Sequence, residues 1–137
     1  MPLILEKVLL EKLNYGLESR YIMVGNSIDV KDIVFSTPLA QHASMKALVS
    51  PVEGWKDHVL RVVTLEKDGY SPKHQHPWPH INYILEGQGE IEIGGVIHPV
   101  STGFYAFVPG DTLHQFRNKG NEPFKFICIV PVEGHKY

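Results

Sequence analysis

From Ser44 onward the chain is cut at near-even intervals by glycine and proline, and only short apolar or alternating runs lie between the cuts. The runs are Ala47–Val49, Val59–Leu65, Ile81–Leu85, Glu90–Ile93, Phe104–Val108, His114–Arg117 and Phe124–Val130. Turn signals separate them at Pro51–Gly54, Lys67–Gly69, Glu86–Gly89, Gly94-Gly95, Pro109–Asp111 and Asn118–Pro123. Glycine supplies positive φ without a steric penalty and proline presets φ for a turn, so each cluster is a place where the chain can reverse. Runs this short suit strands rather than helices. Many short strands punctuated in this way predict an all-β sandwich or barrel.

The 137 residues have room for one such domain. No internal repeat, low-complexity stretch or second-domain linker interrupts it. The predicted organisation is a main domain over 44–137 and an N-terminal extension over 1–43 that packs on the barrel or on a dimer mate. Within the extension, Leu3–Leu13 carries apolar residues that fit either a helical face or strands. Tyr21–Val24 reads as a short strand before the turn Gly25-Asn26-Ser27, and Val30–Phe35 is a further apolar patch. The barrel core can be built without this apolar surplus, which must then be buried against the barrel or a second copy. Sheet edges of a small barrel also call for cover.

Bulk properties exclude several function classes. A formal net charge of −2 leaves no basic footprint for nucleic acid. No apolar stretch reaches the roughly 20 residues of a membrane helix, and the opening Met1–Glu6 lacks the basic region of a secretion signal. The lone Cys128 rules out an internal disulfide framework and suits a reducing compartment, so the cytoplasm is the expected location.

Three of the eight histidines fall in one stretch, His74-Gln75-His76-Pro77-Trp78-Pro79-His80. Residues at i and i+2 of a strand point to one face, so His74 and His76 project together. Pro77 and Pro79 cannot donate ladder hydrogen bonds and force a turn. His80 then opens the next strand, which can lie beside the first and bring three imidazoles to one point. Farther along, Gly103–His114 reads as a strand, a tight Pro109-Gly110-Asp111 turn and a second strand opening on histidine. Imidazole serves zinc, copper, iron, nickel and manganese alike, so ligand type does not name the metal.

The arrangement Gly69-x4-His74-x-His76-x3-His80-x6-Gly87, followed by Gly103-x5-Pro109-x4-His114-x3-Asn118, resembles the paired motifs of the cupin family. In the family pattern the first motif carries a glutamate where this chain has His80, and its glycine stands one residue farther from the first histidine than Gly69 does. The second motif's glycine here follows the proline directly, as Gly110. The resemblance spans roughly Ala47 to Gly134 and is to the small single-domain cupins with an all-histidine site, often manganese-containing and dimeric. It implies a double-stranded β-helix (a jelly-roll β-barrel) and one divalent transition metal on His74, His76, His80 and His114. Manganese or iron is favoured, with zinc or nickel possible, and a homodimer is expected.

Four neutral imidazoles leave a divalent ion its full charge, which favours an anionic or chelating small-molecule ligand. An octahedral ion would keep open positions, whereas zinc closed by four histidines would be structural. The resemblance implies the open site, since barrel sites in that family are usually open. Strand parity adds Asn82, Ile84, Phe116, Phe126 and Cys128 as pocket lining. Cys128 reads as a small core residue, Trp78 as a lid or interface residue, and His42, His58, His98 and His135 as surface or turn residues. The expected function is a metal-dependent, oxygenase-type enzyme on a small organic substrate. Carboxylate or sugar capture without turnover is the alternative, and a sugar isomerase is third.

Overall fold

The computed structural model describes residues 23–135. Among them are nine strands: β1 (Ile33–Val34), β2 (Gln41–Val49), β3 (His58–Tyr70), β4 (His80–Glu86), β5 (Gln88–Ile93), β6 (Val96–Ser101), β7 (Tyr105–Val108), β8 (His114–Asn118) and β9 (Phe124–Pro131). They form one curled antiparallel sheet in the order β6-β5-β8-β3-β9-β4-β7, with β2 also on β3 and β1 on β2. The expected all-β jelly-roll barrel is therefore the fold observed. Strand β3 carries both layers: β9 lies along it from His58 to Leu65, and β8 meets it at Tyr70.

Several sequence-based boundaries move. Lys67-Asp68-Gly69, expected as a turn, stays inside β3 as a bulge, because β2 continues to pair on both sides of it. Pairing jumps from Leu65↔Ala43 to Tyr70↔Gln41, and Asp68 takes a φ of 64°. β2 runs nine residues rather than the three of Ala47–Val49, and it begins at Gln41, before Ser44. β6 matches no run read from the sequence. It is pinned to β5 by the two-residue turn Gly94-Gly95, where both φ values are positive as a type I′ hairpin requires.

Alternation then sorts the side chains. Val59, Arg61, Val63 and Leu65 of β3 are buried, as are Phe124, Phe126, Cys128 and Val130 of β9. His80, Asn82 and Ile84 of β4 face the same interior, with His114, Phe116 and Asn118 of β8 opposite. Phe116 and Phe126 stack with ring centroids 4.3 Å apart. Phe124 and Ile84 are fully buried, a gain of about 1.5–3 kcal/mol each.

The reading at Leu3–Leu13 lies outside the described residues, as do Tyr21 and Ile22 of the strand expected over Tyr21–Val24; Met23 and Val24 of that run belong to no strand, and Val24 is exposed. Of the rest of the extension, Ile33, Phe35 and Ala40 pack against the barrel core, and Ala43 is itself buried in it. Among the described residues no helix is long and apolar enough to cross a membrane.

Candidate metal centre

The histidines converge because two loops are clamped together. After Tyr70 the chain leaves β3 but stays against β8. Ser71 N–H donates to Phe116 O at 2.9 Å, and His74 and His114 exchange N–H···O bonds of 3.1 and 2.9 Å. The Pro77-Trp78-Pro79 loop that follows is held by the turn before β8. Asp111 N–H donates to His76 O at 2.6 Å, and a Cβ on Gly110 would stand 2.2 Å from Pro77 O. Only glycine allows that approach, which explains why the second motif carries its glycine directly after Pro109. His80 then starts β4, paired with Val108.

Ring centroids of His74, His76 and His114 lie 4.9–5.1 Å apart, and their nearest ring nitrogens all fall within 4.8 Å of one another. His80 joins from the buried side. Its ring is 5.4 Å from His76 and 4.8 Å from His114, and its Nε2 is 3.1 Å from Nε2 of His114. The compact set of three does not include His80, which reaches the centre through His114 and His76.

The outer nitrogens fix the tautomers. Nδ1 of His76 is 2.7 Å from Trp78 O, Nδ1 of His114 is 2.8 Å from Thr112 O, and Nδ1 of His80 is 2.7 Å from Oδ1 of Asn82. Asn82 cannot present its amide nitrogen there, because that nitrogen donates to Ile127 O at 3.2 Å. Carbonyl oxygens accept only, so each Nδ1 carries the proton and each Nε2 turns a lone pair inward. Burial strips solvation from the imidazolium form and holds His74, His80 and His114 at about 4; His76 is lowered for the same reason. The rings are neutral at pH 7. Two unprotonated nitrogens facing each other at 3.1 Å repel unless a cation lies between them. The donor set fits a metal ion.

The cluster lies on the wall of a cavity of about 540 Å³ whose other walls include Phe35, Leu39, Val63, Phe116 and Phe126. Of the expected lining residues, Phe116, Phe126 and Cys128 are on that wall. Asn82 and Ile84 are not: Asn82 stands behind His80, and Ile84 is packed in the barrel core. Trp78 stacks on His76 at 4.8 Å and 9° and forms a wall. His58 stacks on Trp55 and His98 lies on β6, apart from the cluster.

The residue that sequence reading missed is Arg61, which lines the cavity and is only 8% exposed. Its charge also contributes to the lowered values of His74, His76, His80 and His135. Both faces of the run Val59–Leu65 are apolar apart from this residue and Thr64. Ordinary amphipathic reasoning therefore turns Arg61 to solvent and Leu60 and Val62 inward, opposite to what is observed.

A family model described as the cupin domain matches residues 61–130. The 1-methylthio-D-xylulose 5-phosphate methylsulfurylase of Rhodospirillum rubrum is 31% identical over 77 residues, 56% of this chain and 49% of that protein. The polyketide synthase CurC of Streptomyces cyaneus is 24% identical over 102 residues, 73% of this chain and 65% of that protein. The chain thus spans between about half and two thirds of these curated relatives. The solved structure of the polyketide cyclase RemF from Streptomyces resistomycificus is similar with a TM-score of 0.76 and 25% identity, covering 81% of this chain and 80% of that one.

Proposed function

This chain belongs to the cupin family, and we propose that it is a metal-dependent enzyme whose His74, His76, His80 and His114 together hold one divalent ion against a small organic substrate with an enol, phenol or carbonyl oxygen. The observation that carries the reading is the convergence of inward-facing Nε2 lone pairs, fixed by carbonyl acceptors behind them, on the wall of an aromatic cavity. When bound, such an ion supplies Lewis acidity toward the substrate oxygen. Manganese or iron is the favoured occupant.

The chain's own residues bind and orient. Phe116 and Phe126, stacked on each other, offer a flat apolar surface for the substrate body and exclude water from that side of the cavity. Trp78 braces His76, and Asn82 keeps the His80 proton on Nδ1. Among the described lining residues there is no carboxylate to act as a general base. Proton movement must then use water or the substrate's own groups. The similarity to a polyketide cyclase and a polyketide synthase supports a poly-carbonyl or phenolic substrate and a ring-closing or enolising reaction. The absent carboxylate favours a second reading, an oxygenase-type reaction on the same substrate class.

One experiment separates them. Protein purified without added metal is analysed for its elements, reconstituted with manganese, iron or zinc, and offered 1,3-diketones and diphenols. Solvent deuterium exchange at the carbon between two carbonyls, without oxygen uptake, supports the first reading; oxygen uptake supports the second. Metal binding with neither outcome would leave the chain a binding module and sink both.

A further inference from the structure

Arg61 is the charged member of the inward stripe of β3, between Val59 and Val63. Across the ladder it faces Cys128 of β9, and its Nη2 donates to Sγ of Cys128 at 3.1 Å. Its Nη1 donates to Gly134 O at 3.4 Å, and its buried Nε has no hydrogen-bond partner. A thiol and a carbonyl are dipoles, not counterions. Among the described residues no carboxylate lies within ion-pairing distance of the guanidinium. The nearby imidazoles are neutral, and Sγ of Cys128 is only 4.0 Å from Nδ1 of His80. The cavity therefore holds a buried positive charge beside a cluster of neutral donors that itself fits a cation.

Keeping a charged group out of water costs several kcal/mol unless it is paired. Arginine differs from lysine in offering a planar fork that matches the two oxygens of a carboxylate. One guanidinium balances one negative charge, which favours a carboxylate over a phosphate dianion, and the neighbouring rings of Phe116 and Phe126 suit an unsaturated body.

We propose that Arg61 anchors the carboxylate of the substrate, so that the cavity takes an unsaturated or aromatic carboxylic acid with its charged end on the guanidinium. This rests on the reading of the cavity as a substrate site, and it names the substrate class. The guanidinium fixes one end of the molecule and the histidine cluster addresses another oxygen, which sets the orientation.

Calorimetry with benzoate, its neutral counterpart benzamide and phenyl phosphate tests the idea on the full chain, both metal-free and zinc-loaded. Metal stoichiometry is measured on the same samples. In the metal-free form, where no ion can itself select the anion, benzoate should bind about tenfold or more tightly than benzamide, the range of a charge-assisted hydrogen bond. Arg61→Gln should erase that ratio while leaving metal stoichiometry unchanged, and Arg61→Lys should restore part of it. Equal binding of benzoate and benzamide by the unsubstituted protein would overturn the proposal, and so would a ratio that survives Arg61→Gln. That first comparison needs no variant, so it stands even where Arg61→Gln fails to fold. Phenyl phosphate binding ahead of benzoate would overturn the carboxylate assignment. Failure to take up metal would sink the four-histidine reading alone, since the metal-free ratio still judges Arg61.

Discussion

Replacing Asn82 by leucine tests whether the orientation of His80 matters to the metal. Asn82 is fully buried, accepts the proton of His80 Nδ1 at 2.7 Å and donates to Ile127 O at 3.2 Å. Leucine of similar volume removes both bonds: it leaves the buried His80 N–H without its acceptor, at a cost of about 1–3 kcal/mol, and takes one donor from the part-buried Ile127 O. In the metal-free protein part of this is recovered. The His80 proton can move to Nε2 and meet Nε2 of His114, 3.1 Å away, so the net loss of stability should be about 1–3 kcal/mol. Metal binding offers no such escape, because the proton must return to an Nδ1 that now lacks an acceptor. Metal affinity should accordingly fall about tenfold to a hundredfold. The assay is competition for zinc against a chromophoric chelator, with thermal melts with and without zinc. The metal-free melt should fall, and the gap between the two melts should shrink as well. Asn82→Asp keeps an acceptor on His80 and should retain affinity. A leucine variant that folds, binds zinc as tightly as the parent and keeps the full gap would refute the assignment of His80 as an oriented ligand.

Gly110→Ala should destabilise by about 3 kcal/mol or more, because its Cβ would stand 2.2 Å from Pro77 O; urea unfolding checks this, and a loss under about 0.5 kcal/mol, the scale of a neutral surface change, would contradict the clamp. Without metal, stability should fall as pH drops from 6.5 toward 4. His74, His80 and His114 are held near 4 by burial, so the unfolded chain takes up protons in that window that the folded chain refuses. Urea titrations between pH 7.5 and 5 should show the decline and a shallower one for His74→Gln; a flat profile would contradict it. Light scattering should give about twice the 15.5 kDa chain mass, because Ile81, Tyr83, Tyr105 and Phe107 form an exposed apolar face on β4 and β7. Phe107→Glu should favour monomer, and a parent protein already at chain mass would refute the dimer.

What the sequence revealed depended on how local the determinant is. His74, His76 and His80 are legible because proline-forced turns and strand parity act over a few residues, and His114 because a Pro-Gly-Asp turn announces its strand. β6 was hidden because Pro99 interrupts the run and only Val100 of its side chains is buried, leaving no apolar alternation to read. The bulge at Asp68-Gly69 looked like a turn because the residues that favour the two are the same. Arg61 was hidden for a different reason. Its inward face is chosen by β9 and β2 on its flanks, which no window around residue 61 contains.

The dependence of both layers on β3 has a kinetic side. Arg61 pairs with Cys128 and Tyr70 with Arg117, so the strand cannot be closed on its later partners until much of the chain has been made and brought back. Topologies dominated by such distant pairings fold in milliseconds to seconds, because loop closure is lost before contacts repay it. His114 reaches His74 only through that closure. If the donors meet only after the barrier is crossed, an added metal holding His74 to His114 should slow unfolding and leave the refolding rate nearly unchanged, which stopped-flow folding with and without zinc reads directly.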